Sequence, residues 1–359
     1  MDDTASSNST LKNHRNYCLL FFEIVACIFI IFIHISFPGK IGYLLSWFAR
    51  FGVPLFFVVA GYYMIRPNTD KASLRRKMKK RIIHVSILLL FSALLYFTIS
   101  IFLNRNDLSS FFIKTFSIRN LLYFILLNRP FFSAHNWFLL AMLYSYIIVY
   151  LFPWVFLGKN WRLICIVSIL IVTIVLHIMS YQIDTIFEEK DLRLIAFRNW
   201  FFNGLPFIAL GILLKKNEYL FEKIKTTLIV VVLTISCILM VVEMYLYGKF
   251  LNAEIEFNFF NIVFVVFIIA LSTKVPKLFS SLKLLNMKES WTTYVYVFHP
   301  AIITLVSGVF VKSSLDNYQF APYIKPIIVV LFSIFLAILF SLIIGVAKKR
   351  MLSSKCAKE

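Results

Sequence analysis

Four ionisable side chains stand out within long apolar stretches of the sequence: Glu23, His34, Arg50 and Glu243. A charged group in a membrane costs about 2.5–3.5 kcal/mol on insertion scales, so it usually faces a cavity or a partner. Glu23 and His34 are separated by about three helical turns, which places both on one face of a helix, about 16 Å apart along its axis. We therefore predict that they line one channel at two depths, with Glu23 toward the cytoplasm and His34 near the outer end.

The chemistry open to these side chains differs. An imidazole can take a proton from a hydroxyl near neutral pH, so His34 is a candidate general base; the alternative is an interfacial histidine bonded to a loop carbonyl. Arg50 requires an anion, which is either Glu23 in a structural ion pair or a phosphate or carboxylate of a substrate. Gly52 and Pro54 follow Arg50 and allow a membrane helix to bend there. Glu243 lies near the outer end of its stretch, where it can reach water.

The elements that must position these residues are membrane helices. Apolar residues make up 60% of the chain, against about 45–50% in typical soluble domains. Windows of about 20 residues predict an all-α polytopic membrane protein in which residues 1–359 form one domain: a tail over 1–16, a transmembrane bundle over 17–347 and a basic tail over 348–359. The ten predicted spans are 17–37, 41–65, 82–104, 136–157, 163–180, 198–214, 228–247, 259–273, 291–311 and 323–347.

The distribution of positive charge predicts the orientation. With both termini in the cytoplasm, the inner segments hold more than twice as many Lys and Arg residues as the outer loops, as the positive-inside rule requires. The net charge of +20 therefore indicates contact with anionic lipid. Nucleic-acid binding is not expected, because no basic soluble module with interleaved aromatic residues is present. The basic run over 71–81 either sets topology and touches lipid or attracts a polyanionic cytosolic ligand.

Two further features limit the chemistry. The five cysteines are scattered without a paired spacing, and no cysteine cluster or HxxE pattern is present, so no metal site is predicted. The outer loop over 105–135 contains a short apolar piece, Leu121–Leu127, that is too short to cross a bilayer. We predict that this piece lies at the interface or dips into the membrane and returns.

Several segments, taken in order, resemble one family across nearly the whole chain. They are FFEIVACIFIIFIHISFPG, ARFGVPLFFVVAGYY, RRKMKKRI, HNWFLLAMLY, RNWFFNGLPFIALGILL and TTYVYVFHP. This series is similar to the membrane acyltransferase 3 family, the integral-membrane O-acetyltransferases of surface polysaccharides. Two positions depart from the family pattern: Glu23 replaces a basic residue, and Ala60 replaces a serine.

The resemblance implies an enzyme of the bacterial plasma membrane that moves an acyl group, commonly acetyl, from cytosolic acyl-CoA to a hydroxyl of a cell-surface polysaccharide or lipid-linked precursor. Acyl-CoA would be a co-substrate, with no bound cofactor. His34 matches the essential histidine of the family. Arg50 and Arg81 match basic positions and, with Glu23, are expected on the donor side. Acceptor binding is expected at His135, Trp137, Arg198 and His299.

Two other functions are compatible with the sequence. A lone Arg and a lone Glu within membrane spans also fit a proton-coupled transporter or flippase of glycan or lipid precursors. The ordered motifs and the lack of an evident repeat between the two halves argue against that function. Glu23, a charge reversal relative to the family, also fits a catalytically altered member.

Overall fold

The computed structural model describes residues 15–158, 160–163, 165–167, 169–170, 198–251, 259–282, 285 and 290–356. Helices account for nearly all of the regular structure in these ranges, and no strand occurs in them. In chain order the helices are α1 (Tyr17–His34), α2 (Gly39–Ala49), α3 (Gly52–Tyr62), α4 (Lys71–Leu103), α5 (Leu108–Thr115), α6 (Ile118–Leu127), α7 (Trp137–Leu151), α8 (Pro153–Leu157), α9 (Leu205–Lys216), α10 (Tyr219–Lys223), α11 (Thr226–Leu251), α12 (Phe259–Lys274), α13 (Ser290–Lys312) and α14 (Ala321–Cys356).

Seven helical segments of the described chain are long and apolar enough to cross a membrane, which confirms an all-α multi-pass protein. They are Tyr17–His34, Gly39–Tyr62, Lys71–Leu103, Ala134–Leu151, Thr226–Leu246, Trp291–Lys312 and Ala321–Ala347. Each overlaps one of the ten predicted spans.

The other three predicted spans do not reach that length in the described residues. α9 and α12 are apolar but contain only 12 and 16 residues. Most of the predicted span over 163–180 lies outside the described residues. The apolar piece predicted over Leu121–Leu127 forms part of α6, which is bent by 46° relative to α5. The count of ten spans stays a prediction.

The basic run and the third predicted span form one helix, α4, of 33 residues. Its start is fixed by a capping box, in which Asp70 accepts from the Ser73 backbone and Ser73 accepts from the Asp70 backbone. Farther along, the apolar residues of α4 that face outward repeat at helical spacing; they are Ile83, Ile87, Leu90 and Leu94. Lipid is the environment that such an exposed apolar stripe requires.

The second predicted span is one membrane segment broken into α2 and α3 at Arg50 and Phe51. Pro54 is tolerated because it lies in the first turn of α3, where the backbone N–H groups have no intrahelical acceptor. A side chain at Gly52 would come within 3.2 Å of Ile30 on α1, so the glycine lets the broken segment approach α1 closely. The break therefore brings Arg50 to the end of α1.

The helices pack around α1, which contacts α2, α3, α12, α13 and α14. A second close contact joins α3 to α9, where small residues let the two backbones approach, as in many membrane helix pairs. α13 contains Pro300, which interrupts the helical hydrogen bonds. The Tyr96 hydroxyl enters this gap, because it donates to the Val297 carbonyl at 2.7 Å and accepts from the Ala301 N–H at 3.1 Å. Helices often bend where a side chain inserts between the donor and acceptor of a helical hydrogen bond.

Candidate active site

His34 is the last residue of α1, and its side chain is exposed and faces a cavity of about 70 Å³. The cavity is partly open and lies between the end of α1, the break at Arg50, the start of α7 and the segment before α9. Its lining residues are Ile30, Ile33, His34, Ala49, Arg50, Val53, Pro54, Trp137, Arg198 and Asn203. The imidazole thus has access to a space that could hold a small polar group.

Two guanidinium groups and one indole ring from different parts of the chain meet at this cavity. Arg50 comes from the helix break, Trp137 from the first turn of α7 and Arg198 from the segment before α9. Sequence analysis predicted Trp137 and Arg198 for acceptor binding but grouped Arg50 with Arg81 and Glu23. In the structure, Arg50 lines the same cavity as His34.

Asn128 holds two of these residues in place, although no sequence pattern singled it out. It ends α6 in the left-handed conformation, with a φ of 51°, and is fully buried; asparagine is one of the few residues that accept this conformation at a helix end. Its amide nitrogen donates to the carbonyls of Trp137 and Arg198 at 3.1 and 3.2 Å, and its amide oxygen accepts from the Trp200 N–H at 2.7 Å. A buried amide with all these bonds fixes the two backbones that carry the indole and the guanidinium.

Asn203 was also absent from the predictions, and it reaches the cavity from a turn of π-helix over Trp200–Gly204. Asn199 caps that turn, because its side-chain oxygen accepts from the N–H groups of Phe201 and Phe202 at 2.9 and 2.8 Å. Wide turns of this kind occur often at functional sites. The sequence signal for this turn is the pair of asparagines, Asn199 and Asn203, that flanks the aromatic residues at 200–202.

The two histidines predicted for acceptor binding, His135 and His299, lie behind His34 in the protein interior. The ring centroids of His34 and His299 are 5.2 Å apart, and those of His299 and His135 are 5.7 Å apart. His299 is fully buried and His135 nearly so. Neither side chain lines the cavity. The geometry therefore favours a role for them other than direct contact with an acceptor.

The protonation of the His299 ring can be inferred from its neighbour. The Nδ1 atom of His299 lies 3.2 Å from the Val295 carbonyl oxygen. That oxygen can only accept, so Nδ1 carries a proton and in a neutral ring Nε2 is an acceptor. His135 is held by a hydrogen bond between its Nδ1 and the Ser133 hydroxyl, and its carbonyl accepts from the Tyr296 hydroxyl. Within the described residues, Nε2 of neither ring has a hydrogen-bond partner, and the pair forms a buried polar support behind His34.

A larger cavity, of about 750 Å³, lies along the other half of α1. Its charged lining residues are Arg15, Glu23, Arg66, Lys77, Arg81 and Lys215, with Thr292 and Thr293 as neutral polar neighbours. The excess of cations makes this cavity attractive to a polyanion. Lys77 and Arg81 belong to the basic run over 71–81, for which attraction of a polyanionic ligand was one of the two interpretations. Arg15, Arg66 and Lys215 were not singled out from the sequence, because only the fold brings these distant positions together.

Both cavities adjoin the same helices at different heights. α1 contributes Glu23 to the larger cavity and His34 to the smaller one, and α3 contributes Val59 and Pro54 respectively. Glu23 and His34 therefore lie at two depths on α1, but they line two cavities and not the one predicted channel. Phe138 packs against Phe56, which lines the larger cavity, and against Tyr296, with ring centroids 6.2 and 5.4 Å apart.

Arg81 has a structural anchor as well as access to the larger cavity. Its guanidinium donates to the carbonyls of Ala60 and Tyr63 at 2.7 and 3.1 Å, at the end of α3, and lies over the Tyr146 ring. Cations at helix C-termini satisfy carbonyls that lack intrahelical donors. The α3 carbonyls thus hold the guanidinium at the cavity wall.

This anchoring gives a test with a conservative variant. Arg81→Lys is expected to lower the free energy of unfolding by about 1–2 kcal/mol, because an ammonium cannot reproduce the forked pair of bonds. Thermal unfolding in detergent measures this loss. Arg76→Lys, at an exposed position on the same helix, is the control and should leave the unfolding temperature unchanged. Equal effects of the two substitutions would contradict the anchoring role.

Glu243 does not simply reach water. Its carboxylate accepts from the N–H groups of Phe259 and Phe260 at 3.0 and 3.3 Å and so caps the start of α12. A negative charge at a helix N-terminus is stabilising. We assign Glu243 to the architecture of the α11–α12 pair.

Comparison with known proteins identifies a family for this chain. The sequence model of the acyltransferase 3 family, described as an acyltransferase domain, matches residues 16–346. No curated protein and no solved structure matches. The matched range includes every residue that lines the two cavities except Arg15.

Proposed function

Because the chain belongs to the acyltransferase 3 family and is a multi-pass membrane acyltransferase, we propose that it transfers an acetyl group from cytosolic acetyl-CoA to a hydroxyl of a cell-surface polysaccharide or its lipid-linked precursor. The observation that carries this proposal is the pair of cavities along α1: one is rich in cations, and the other holds an exposed imidazole.

The donor would bind in the larger cavity. Coenzyme A carries several phosphate charges, and Arg15, Arg66, Lys77, Arg81 and Lys215 line that space. Guanidinium and ammonium groups form short, charge-assisted hydrogen bonds with phosphate oxygens. The proposed donor side then includes Arg81 and Glu23, which were predicted there, and Lys77 of the basic run. Arg15, Arg66 and Lys215 are added to it, and Arg50 is moved to the acceptor side.

The orientation of the protein follows from the same assignment. Acetyl-CoA is made in the cytosol, so the cation-rich cavity faces the cytoplasm and the His34 cavity faces outward. This agrees with the predicted cytoplasmic termini, ten spans and a location in the bacterial plasma membrane. Anionic lipids would contact the exposed basic positions of α4, including Arg76, Lys79 and Lys80.

The reaction is a direct transfer. His34 takes the proton of the acceptor hydroxyl as its oxygen attacks the thioester carbonyl carbon, and a tetrahedral intermediate forms. The carbon–sulfur bond then breaks, and the thiolate recovers the proton from the imidazolium to leave as free coenzyme A. His299 and His135 support the His34 ring from behind, and the acetyl-bearing arm of the donor extends along α1 between the two cavities.

Proteoliposomes that contain radiolabelled acetyl-CoA only on the cytoplasmic face of the protein test this function. We expect label on an external polysaccharide hydroxyl and an equal amount of free coenzyme A on the inside. A transporter or flippase would leave the acceptor unlabelled. Proteoliposomes without the protein correct for spontaneous hydrolysis of the thioester.

Among the described residues, Glu23 is the only carboxylate that lines the donor cavity, and its replacement tests the catalytically altered alternative. If the protein is an active enzyme, Glu23→Arg is expected to leave the transfer rate unchanged or to lower it, because the other cations already hold the phosphates. Glu23→Gln, which removes only the charge, is the matched comparison. An increase of ten-fold or more in the Glu23→Arg variant would show that the natural chain is impaired at this position.

A further inference from the structure

We propose that the acceptor of this enzyme is an anionic sugar whose carboxylate or phosphate binds between Arg50 and Arg198 while a neighbouring hydroxyl faces His34. This inference rests on the proposed function and assigns a substrate class to the smaller cavity. It begins with the charge of the lining, because Arg50 and Arg198 line the cavity and none of the described residues around it is acidic.

The surroundings of the two guanidinium groups strengthen the argument. Ile30, Ile33, Ala49, Val53 and Pro54 form the apolar walls of the cavity. Attraction between a guanidinium group and an anion is screened less in such a setting than in water. An anion held there gains charge-assisted hydrogen bonds that are roughly twice as strong as neutral ones. Arginine is also the side chain best suited to grip carboxylate or phosphate through two parallel bonds.

The cavity also has the parts that a sugar needs besides its charge. Trp137 offers an aromatic face, and Asn203 offers an amide that can donate to or accept from hydroxyl groups. A volume of about 70 Å³ admits an anionic group and an adjacent hydroxyl, whereas the rest of a polysaccharide would remain outside the opening. Asn128 fixes the backbones of Trp137 and Arg198, so this half of the site is already formed.

Binding of the donor does not require Arg50 or Arg198. The larger cavity has five cations of its own for the phosphates of coenzyme A, and neither Arg50 nor Arg198 lines it. The remaining alternative is stabilisation of the oxyanion in the transition state. That role would act on every acceptor alike, whereas recognition of an anion would act only on charged acceptors.

Three acceptors of similar size separate these possibilities: methyl glucuronide, glucose 1-phosphate and the neutral methyl glucoside. Acetyl transfer from labelled acetyl-CoA gives kcat and KM for each. We expect at least one anionic sugar to have a KM ten-fold or more below that of methyl glucoside. Arg50→Gln and Arg198→Gln should abolish this preference without changing the KM for acetyl-CoA. Arg105→Gln, exposed just beyond α4, is the control and should retain it.

A binding measurement decides the proposal even if none of the three sugars is acetylated. The chain has six tryptophans, so the contribution of Trp137 is the difference in fluorescence between the natural protein and Trp137→Phe. We expect this contribution to saturate with an anionic sugar at a concentration ten-fold or more below that for methyl glucoside. The proposal is overturned if neither anionic sugar gives a saturable change, if methyl glucoside binds as well, or if the Gln variants lower kcat equally on charged and neutral acceptors.

The same measurements keep the two proposals apart. Transfer to methyl glucoside with no preference for charge would sustain the acetyltransferase function and refute the anionic acceptor. Saturable binding of an anionic sugar, without release of coenzyme A from acetyl-CoA in the presence of any acceptor, would refute the acetyltransferase function instead.

Discussion

Replacing His34 with alanine is expected to lower the rate of acetyl transfer by about 10²–10⁴-fold, because the acceptor hydroxyl would lose the group that takes its proton. The side chain is exposed at the end of α1, so the variant should fold and unfold at the same temperature as the natural protein. Donor binding should also persist, since the cation-rich cavity lies along the other half of the helix. The measurements are the initial rate of label transfer and the affinity for acetyl-CoA.

The matched control for this variant is His84→Ala. His84 is exposed on α4 and lines neither cavity, so its replacement should leave the transfer rate within about two-fold of the natural rate. If His34→Ala and His84→Ala transfer acetyl equally well, then His34 is not the general base. A fall in donor affinity together with rate would instead place His34 on the donor side.

The second large effect is expected at the contact between α3 and α9. A Cβ atom built at Gly211 would lie 2.0 Å from the Val58 carbonyl oxygen and 2.6 Å from the Tyr62 backbone nitrogen. These are backbone atoms, which cannot rotate away, so Gly211→Val must force the helices apart. We expect the free energy of unfolding to fall by about 3 kcal/mol or more, at or beyond the usual range for overpacking. Size-exclusion chromatography and thermal unfolding in detergent would register the loss.

The chain supplies its own control for this experiment. Gly308 lies in α13, and a Cβ built there has no neighbouring atom within 4 Å. Gly308→Ala should therefore be tolerated and can raise stability by about 0.5–1 kcal/mol, since alanine favours a helix more than glycine does. If Gly211→Val unfolds at the same temperature as Gly308→Ala, the close approach of α3 and α9 is not required for the fold.

The α3–α9 contact also connects stability with function. α3 contributes residues to both cavities, and α9 contributes Lys215 to the larger one. The same close approach occurs at Gly61 on α3, where a Cβ atom would lie 2.1 Å from the Ile208 carbonyl oxygen on α9. Two glycines that face across one interface therefore set the distance between α3 and the helix that carries Lys215.

Several features of this protein were determined by the sequence alone. Long apolar windows established the all-α membrane class, because the cost of exposing backbone to lipid leaves few alternatives to helices. The spacing of Glu23 and His34 placed them at two depths on α1, since helical periodicity is a local property. The series of short motifs identified the family before any contact was known.

Other features were decided only by the tertiary structure. The break at Arg50, the fold around Asn128 and the turn over 200–204 bring Arg50, Trp137 and Arg198 to one cavity from widely separated positions in the chain. The cations at Arg15 and Lys215 likewise converge only after α1, α4 and α9 have packed. Periodicity and insertion cost act within one helix, whereas the composition of a cavity depends on which helices meet, and that is settled by packing between distant segments.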